Sequence, residues 1–149
     1  MLDSSAAIEI ALDTVEGRAL RGLWCVDERV VSVPLFQSEV TNAFWKYVRA
    51  GVMQREAATR RLSIALSLVD EYADTLDLAS EVLAESVRLG HSAYDITYLV
   101  LARRSGGTLF SCDKKLVKLC EENGVDCIHT EDVPTTVPRE PRKTHAGRE

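Results

Sequence analysis

Apolar residues recur along this chain in two rhythms: a helical spacing in longer stretches, and short β-branched runs between them. Ala6, Ala7, Ile8, Ile10, Ala11 and Leu12 predict a helix directly after Asp3, with Ser4 or Ser5 as its cap. That leaves only Met1 and Leu2 for a preceding strand, so strand 1 is either truncated or starts upstream of this methionine. A second helix is predicted over 15–24. Residues 29–33 form a β-branched run stopped by Pro34, which reads as a buried strand, and Pro34 suits the start of the next helix. Over 35–49 a stripe of Phe36, Val40, Ala43, Phe44, Tyr47 and Val48 predicts a long helix, with Glu39, Asn42 and Lys46 on a different face. Further helices are predicted over 54–69, 79–89, 93–104 and 113–122, and strands over 75–77, 108–111 and 125–128. Gly51, Gly90, Gly106-Gly107 and Asn123-Gly124 mark helix ends.

Strands alternating with helices, and no Asn-Gly hairpin signal, predict an α/β fold whose parallel sheet is covered on both faces. The length of 149 residues fits one domain. From Thr130 the pattern changes: Pro134, Pro138 and Pro141 cluster there among mixed charges and few apolar residues. Residues 130–149 therefore read as a flexible tail on a folded domain spanning 1–129.

Composition narrows the class. At 46% hydrophobic and 28% charged residues, the chain matches a soluble globular protein. No apolar run approaches the ~20 residues of a membrane helix. The start lacks a secretory signal, so the expected compartment is the cytoplasm and no membrane partner is expected. Cys25, Cys112, Cys120 and Cys127 form no C-x-x-C pair and have no histidine at ligand spacing. They read as reduced, mostly buried small hydrophobes rather than a zinc site. The net charge of −5 argues against a uniformly basic nucleic-acid surface, unless the acids are concentrated in one place.

Four acids suggest such a place. Ligands of open parallel sheets bind beyond the carboxyl ends of the strands. Asp3 follows the first strand and Asp113 follows 108–111; Glu39 and Asp95 fall in the first turns of helices that start at that same edge. Two unit charges ~4 Å apart cost about 4 kcal/mol at an effective dielectric of ~20, so such a cluster takes up protons or cations. Hard divalent ions with oxygen ligands, Mg²⁺ or Mn²⁺, answer that need; two would balance four carboxylates and one would leave an excess of two. Taken singly, Asp3 and Asp113 equally suit helix caps, Asp95 suits a helix N-terminus, and Glu39 suits a solvent-facing position. Their shared edge is what favours metal.

The segments Leu2-Asp3-Ser4-Ser5, Val31-Ser32-Val33-Pro34 through Ser38-Glu39-Val40-Thr41-Asn42-Ala43, Tyr94-Asp95-Ile96-Thr97-Tyr98-Leu99, and Thr108-Leu109-Phe110-Ser111-Cys112-Asp113-Lys114-Lys115-Leu116 resemble the PIN domain, in particular VapC-like toxins of type II toxin–antitoxin pairs. The resemblance covers about residues 1–129. It implies a three-layer α/β/α domain with a central parallel five-stranded sheet, and Mg²⁺- or Mn²⁺-dependent cleavage of RNA phosphodiester bonds. It carries metal and catalytic roles onto Asp3, Glu39, Asp95 and Asp113. Ser111 matches the small hydroxyl residue two positions before the last acid, with Ser5 and Asn42 as further supporting residues. The family further implies a homodimer and a cognate antitoxin that blocks the acidic groove. The tail after Thr130 has no counterpart in the family pattern.

Substrate contacts are expected from Lys46, on the Glu39 helix, and from Lys114 and Lys115, beside Asp113. Arg103 and Arg104, at the far end of the Asp95 helix, read as a solvated face. His91 reads as part of the turn before Tyr94 rather than an acid–base group. In the helix over 54–69, Arg55, Arg60 and Arg61 beside Ile64, Leu66 and Leu68 suit a dimer or antitoxin contact, with core packing the simpler account of the apolar residues. Three alternatives compete: a catalytically silent PIN-like module that binds RNA or protein, a phosphotransfer or receiver domain, and a nucleotide-binding fold. Ser4-Ser5 after Asp3 breaks the D-x-D phosphatase pattern and leaves one acid where a receiver needs two. Gly106-Gly107 precedes a strand instead of opening a helix, so no phosphate loop is present.

Overall fold

Four short strands form among the described residues. The structure is a computed structural model that describes residues 1–25 and 27–129; the tail expected over 130–149 lies outside the described residues. In order the elements are α1 (Ser4–Leu12), α2 (Val15–Gly22), β1 (Val31–Ser32), α3 (Leu35–Arg49), α4 (Arg55–Leu66), β2 (Glu71–Tyr72), a 3₁₀ turn (Leu76–Leu78), α5 (Ala79–Leu89), α6 (Ala93–Ser105), β3 (Leu109–Phe110), α7 (Lys114–Glu122) and β4 (Cys127–Ile128). Two parallel pairs result, with Val31 opposite Glu71 and Leu109 opposite Cys127.

Leu2 lies between the pairs. It bridges Phe110 in parallel, and its N–H donates to the Val31 carbonyl at 3.0 Å. Phe110 N–H donates to the Met1 carbonyl at 2.9 Å, and Asp3 N–H to the Phe110 carbonyl at 3.1 Å. The expected five-stranded sheet does not form among the described residues; two two-residue parallel pairs and a single bridging residue stand in its place. Pro34 helps end β1, since it brings no N–H to continue a ladder.

Two expectations are corrected here. The strand expected over 75–77 is a 3₁₀ turn, because the Asp74 carboxylate accepts the Leu76 N–H at 2.9 Å and folds the backbone round. The strand forms instead at Glu71–Tyr72, where the Asp70 carboxylate accepts the Val30 N–H at 2.8 Å and sets the chain beside β1. The cap of α1 is Asp3 itself, so Ser4 and Ser5 are inside the helix.

The core lies where α1, α3 and α6 meet the strands. Leu2, Phe36, Val40, Ile96, Leu99, Val100 and Leu109 are fully buried, each such aliphatic or aromatic side chain contributing about 1.5–3 kcal/mol. Helix α2 packs so closely on α1 that a Cβ at Gly17 would sit 2.1 Å from the Glu9 carbonyl oxygen. Thr14 caps α2 and hydrogen-bonds the Glu9 side chain at 2.7 Å, which fixes that approach. On α4, Leu66 packs against the core, as does Leu68 just beyond it, while Ile64 is exposed. Arg61 is engaged, donating to the Ala11 carbonyl at 2.7 Å.

Helix α5 is tied to α6 by ion pairs: Arg103 holds Glu81 and Glu85, and Arg104 holds Glu81. Hydrogen bonds from Arg88 and Arg103 hold the Glu85 carboxyl down at about 2. Among the described residues no helix is long and apolar enough to cross a membrane. All four cysteines are free; Cys120 is buried, but Cys25 is exposed, because it sits in the loop after α2 rather than on a packed element.

Candidate active site

Asp3 is the only fully described carboxylate that is buried, at 3% exposure. It sits where Leu2 crosses between the strand pairs and α1 begins. Its Oδ1 accepts the Ala6 N–H at 2.9 Å and the Ser5 hydroxyl at 2.8 Å; its Oδ2 accepts the Ser111 hydroxyl at 2.7 Å. Each serine is loaded from behind. Ser111 Oγ accepts the Asp113 N–H at 3.0 Å, and Ser5 Oγ accepts the Cys112 N–H at 2.8 Å. The backbone of residues 112–113 therefore fixes both hydroxyl protons on Asp3. Ser5 and Ser111 thus both contact the Asp3 carboxylate directly.

Burial pushes the Asp3 carboxyl up to about 6, against the pull of its hydrogen bonds, and the Asp113 charge adds to the rise. Asp95, half-buried in the first turn of α6, is also raised, first by burial and then by the Asp113 charge. Asp113 itself is exposed and caps α7, where its Oδ1 accepts the Lys115 N–H at 2.8 Å. Asp113 thus acts electrostatically on both of the other aspartates. The cap geometry weighed for Asp3 and Asp113 is present, and it coexists with their convergence: capping occupies one carboxylate edge and leaves the charge where it is.

Glu39 joins from α3. It accepts the Tyr98 hydroxyl through Oε2 at 2.7 Å. Tyr98 is 2% exposed on α6; burial and then the Glu39 charge push its phenol well above the ordinary tyrosine range. Asp3 contributes to the same rise, and Ser32 lies against the phenol while its hydroxyl donates to the Leu2 carbonyl at 2.7 Å. Tyr98 therefore sits against both Glu39 and Ser32. Neither Tyr98 nor Ser32 was assigned a role from sequence. The available signal was a phenol inside the buried run after Asp95, since a buried tyrosine hydroxyl needs a partner.

Two hollows flank the acids. One of about 520 Å³ is lined by His91, Ser92, Asp95, Lys115, Lys118 and Glu122. The other, of about 360 Å³, is lined by Glu39, Asn42, Lys46 and Tyr47. Lys115 and Lys46 thus stand beside the acids, and the Lys115 charge acts on Asp95. Lys114 is exposed at the start of α7 and lines neither hollow. His91 is in the turn before α6, as expected, but also lines the Asp95 hollow.

Among the described residues no group of three His, Cys, Asp or Glu side chains is arranged to close around a metal ion. By donor chemistry the residues nonetheless fit a hard divalent cation: all are carboxylates, and two carry the raised pKa of crowded or desolvated charge. Cys112 is no alternative nucleophile, since burial pushes its thiol up to about 12.

A family model described as "PIN domain" matches residues 1–122. Among curated proteins, the chain is 29% identical over 85 residues to Ribonuclease VapC3 of Pyrobaculum aerophilum, covering 54% of this chain and 63% of the relative. It is 35% identical over 91 residues to Exonuclease VapC9 of the same organism, covering 60% and 66%. The matches thus span slightly under two thirds of those relatives. A crystal structure of a Pyrobaculum aerophilum protein superposes with a TM-score of 0.62 at 28% identity, covering 78% of this chain and 82% of that one.

Proposed function

The chain belongs to the PIN-domain family, and on that premise we propose that it is a metal-dependent endoribonuclease, the toxin of a toxin–antitoxin pair acting in the cytoplasm. The observation that carries the reading is the electrostatic grouping of Asp113 with Asp3 and Asp95, which leaves two carboxyls poised to be stabilised by a cation.

In this reading Asp3, Asp95 and Asp113 hold one or two Mg²⁺ or Mn²⁺ ions, with Glu39 completing the shell directly or through water. When bound, such an ion supplies a Lewis acid for the scissile phosphate and an acidified water. The protein's own part is positioning. Ser5 and Ser111 fix both oxygens of the Asp3 carboxylate in place. Tyr98 holds Glu39 by one oxygen and leaves Oε1 available. Lys46 and Lys115 balance phosphate charge at either side, and Lys114 extends that basic edge. A cognate antitoxin and a second copy of the chain are the partners that go with this function.

The test is cleavage of single-stranded RNA with Mg²⁺ or Mn²⁺, with chelator, and with Asp95→Asn and Asp3→Asn. Metal-dependent cleavage lost in both variants supports the reading; equal cleavage by parent and variants overturns it. The open spacing of the acids favours one alternative, a catalytically silent binding module. Calorimetric titration with Mn²⁺ separates the two, because the silent module shows no binding at millimolar metal.

A further inference from the structure

Helix α3 buries Phe36, Val40 and Phe44 and turns a different set of residues outward. Trp45 is on that outer face and is 51% exposed, although tryptophan is among the side chains that gain most from burial. Its ring is not bare. The Arg49 guanidinium, one turn on, lies 5.2 Å from the ring centroid, a cation–π stack. Toward the helix N-terminus the ring borders a shallow hollow of about 470 Å³, lined otherwise by Gln37, Ser38, Thr41 and Asn42. Arg49 does not line that hollow, so its guanidinium meets the indole outside it.

The lining has a definite chemistry. Thr41 spends its hydroxyl proton on the Gln37 carbonyl at 2.7 Å. The side-chain amides of Gln37 and Asn42 make no hydrogen bond to any described residue, so their donors and acceptors face the hollow unused. Asn42 also lines the neighbouring hollow that contains Glu39 and Lys46, so the two spaces meet at one residue. Within α3, Glu39 is the only acid, against Lys46 and Arg49, which makes this face locally basic on a chain of net charge −5.

An aromatic face backed by a guanidinium, bordered by free amides, beside a carboxylate site with lysine is what an unpaired nucleotide requires. The base stacks on the ring, its polar edge meets amides, and its phosphate meets a cation. A protein segment docking on Trp45 would want apolar neighbours around it, and none of the other lining residues is apolar. Resting on the ribonuclease reading above, we infer that Trp45 is a stacking platform for one unpaired base of the RNA strand. Gln37 and Asn42 address that base's edge, and the adjoining phosphate runs past Asn42 toward Glu39.

The test measures binding, not cleavage. A short fluorescein-labelled oligoadenylate is titrated with the full chain in EDTA, and anisotropy is followed for the parent, Trp45→Ala and Trp45→Phe. A fully abasic ribose-phosphate chain of equal length serves as the second probe. Losing one base stack corresponds to roughly 5- to 150-fold weaker binding. The expected result is a loss in that range for Trp45→Ala on oligoadenylate, partial recovery with Trp45→Phe, and no change for either variant on the abasic chain. Unchanged melting of the variants establishes that α3 is intact. Equal affinity of parent and Trp45→Ala overturns the platform, as does an equal loss on both probes. So does a change in the sedimenting species of Trp45→Ala with RNA affinity unchanged, which would make the patch a protein contact. The nuclease reading fails separately: a chain that shows the stacking effect but never cleaves RNA with Mn²⁺ keeps the platform and loses the enzyme.

Discussion

The Tyr98 hydroxyl donates to Glu39 Oε2 at 2.7 Å, joining α6 to α3 across 59 residues of sequence. The bond leaves Glu39 Oε1 without a hydrogen bond to any described residue and ties Glu39 to a nearly buried phenol. A carboxylate held by a neutral donor loses rotational freedom, which is how residues behind metal ligands commonly orient them.

Tyr98→Phe removes that donor and almost no volume. Mn²⁺ affinity or cleavage is expected to fall about 10- to 100-fold, by analogy with other groups that orient metal ligands. The thermal midpoint should shift little, since one hydrogen bond to a partly exposed partner contributes about 0.5–1.5 kcal/mol. Calorimetry with Mn²⁺ and a melt on the same sample check both. Unchanged metal affinity would leave Tyr98 a purely structural residue.

Asp3 makes a pH prediction of unusual sign. Burial pushes its folded carboxyl up to about 6 from the ordinary aspartate value of 3.8. The folded chain therefore binds the proton more tightly than the unfolded one between those values. Stability contributed by this group falls as pH rises through the window, and its ionised form costs on the order of 3 kcal/mol above pH 6. Asp3→Asn should melt higher than the parent at pH 7.5 without metal, and the difference should shrink toward pH 4. A difference that does not change with pH would contradict the assignment.

Asp113 combines a cap with a charge, and substitution can separate them. Asn caps a helix as well as Asp does, whereas Ala costs about 1 kcal/mol. Asp113→Asn should therefore melt close to the parent at neutral pH while RNA cleavage falls to background. Asp113→Ala should lose both activity and stability. Full cleavage by Asp113→Asn would remove this residue from the site.

Gly17 is where α2 meets α1. A methyl group there would lie 2.1 Å from the Glu9 carbonyl oxygen, a backbone atom that no rotamer change can move. Gly17→Ala is expected to destabilise the fold by about 1–3 kcal/mol or more. Denaturant unfolding of parent and variant measures it; equal midpoints would mean the two helices separate at no cost.

Much of the molecule is written locally. The stripe of Phe36, Val40 and Phe44 reports α3 because helical periodicity needs only neighbouring residues. Gly90 and Gly106 mark the ends of α5 and α6 for a similarly local reason: each adopts a left-handed backbone that side chains resist. The four acids were legible as candidates because they stand at strand ends and helix starts.

Other features depended on distant partners. Asp70 draws the chain into register with Val30, which is why the second strand lies at Glu71–Tyr72 rather than where the residue pattern placed it. The role of Ser111 rests on its hydrogen bond to Asp3, 108 residues away, and that of Tyr98 on Glu39. The sequence by itself determined where helices begin and which carboxylates follow strands or open helices, because caps and periodicity act over a few residues. Only the tertiary structure decided how Asp3 and Asp95 are held, desolvated and raised in pKa, because desolvation and long-range hydrogen bonds arise only once separate elements pack together.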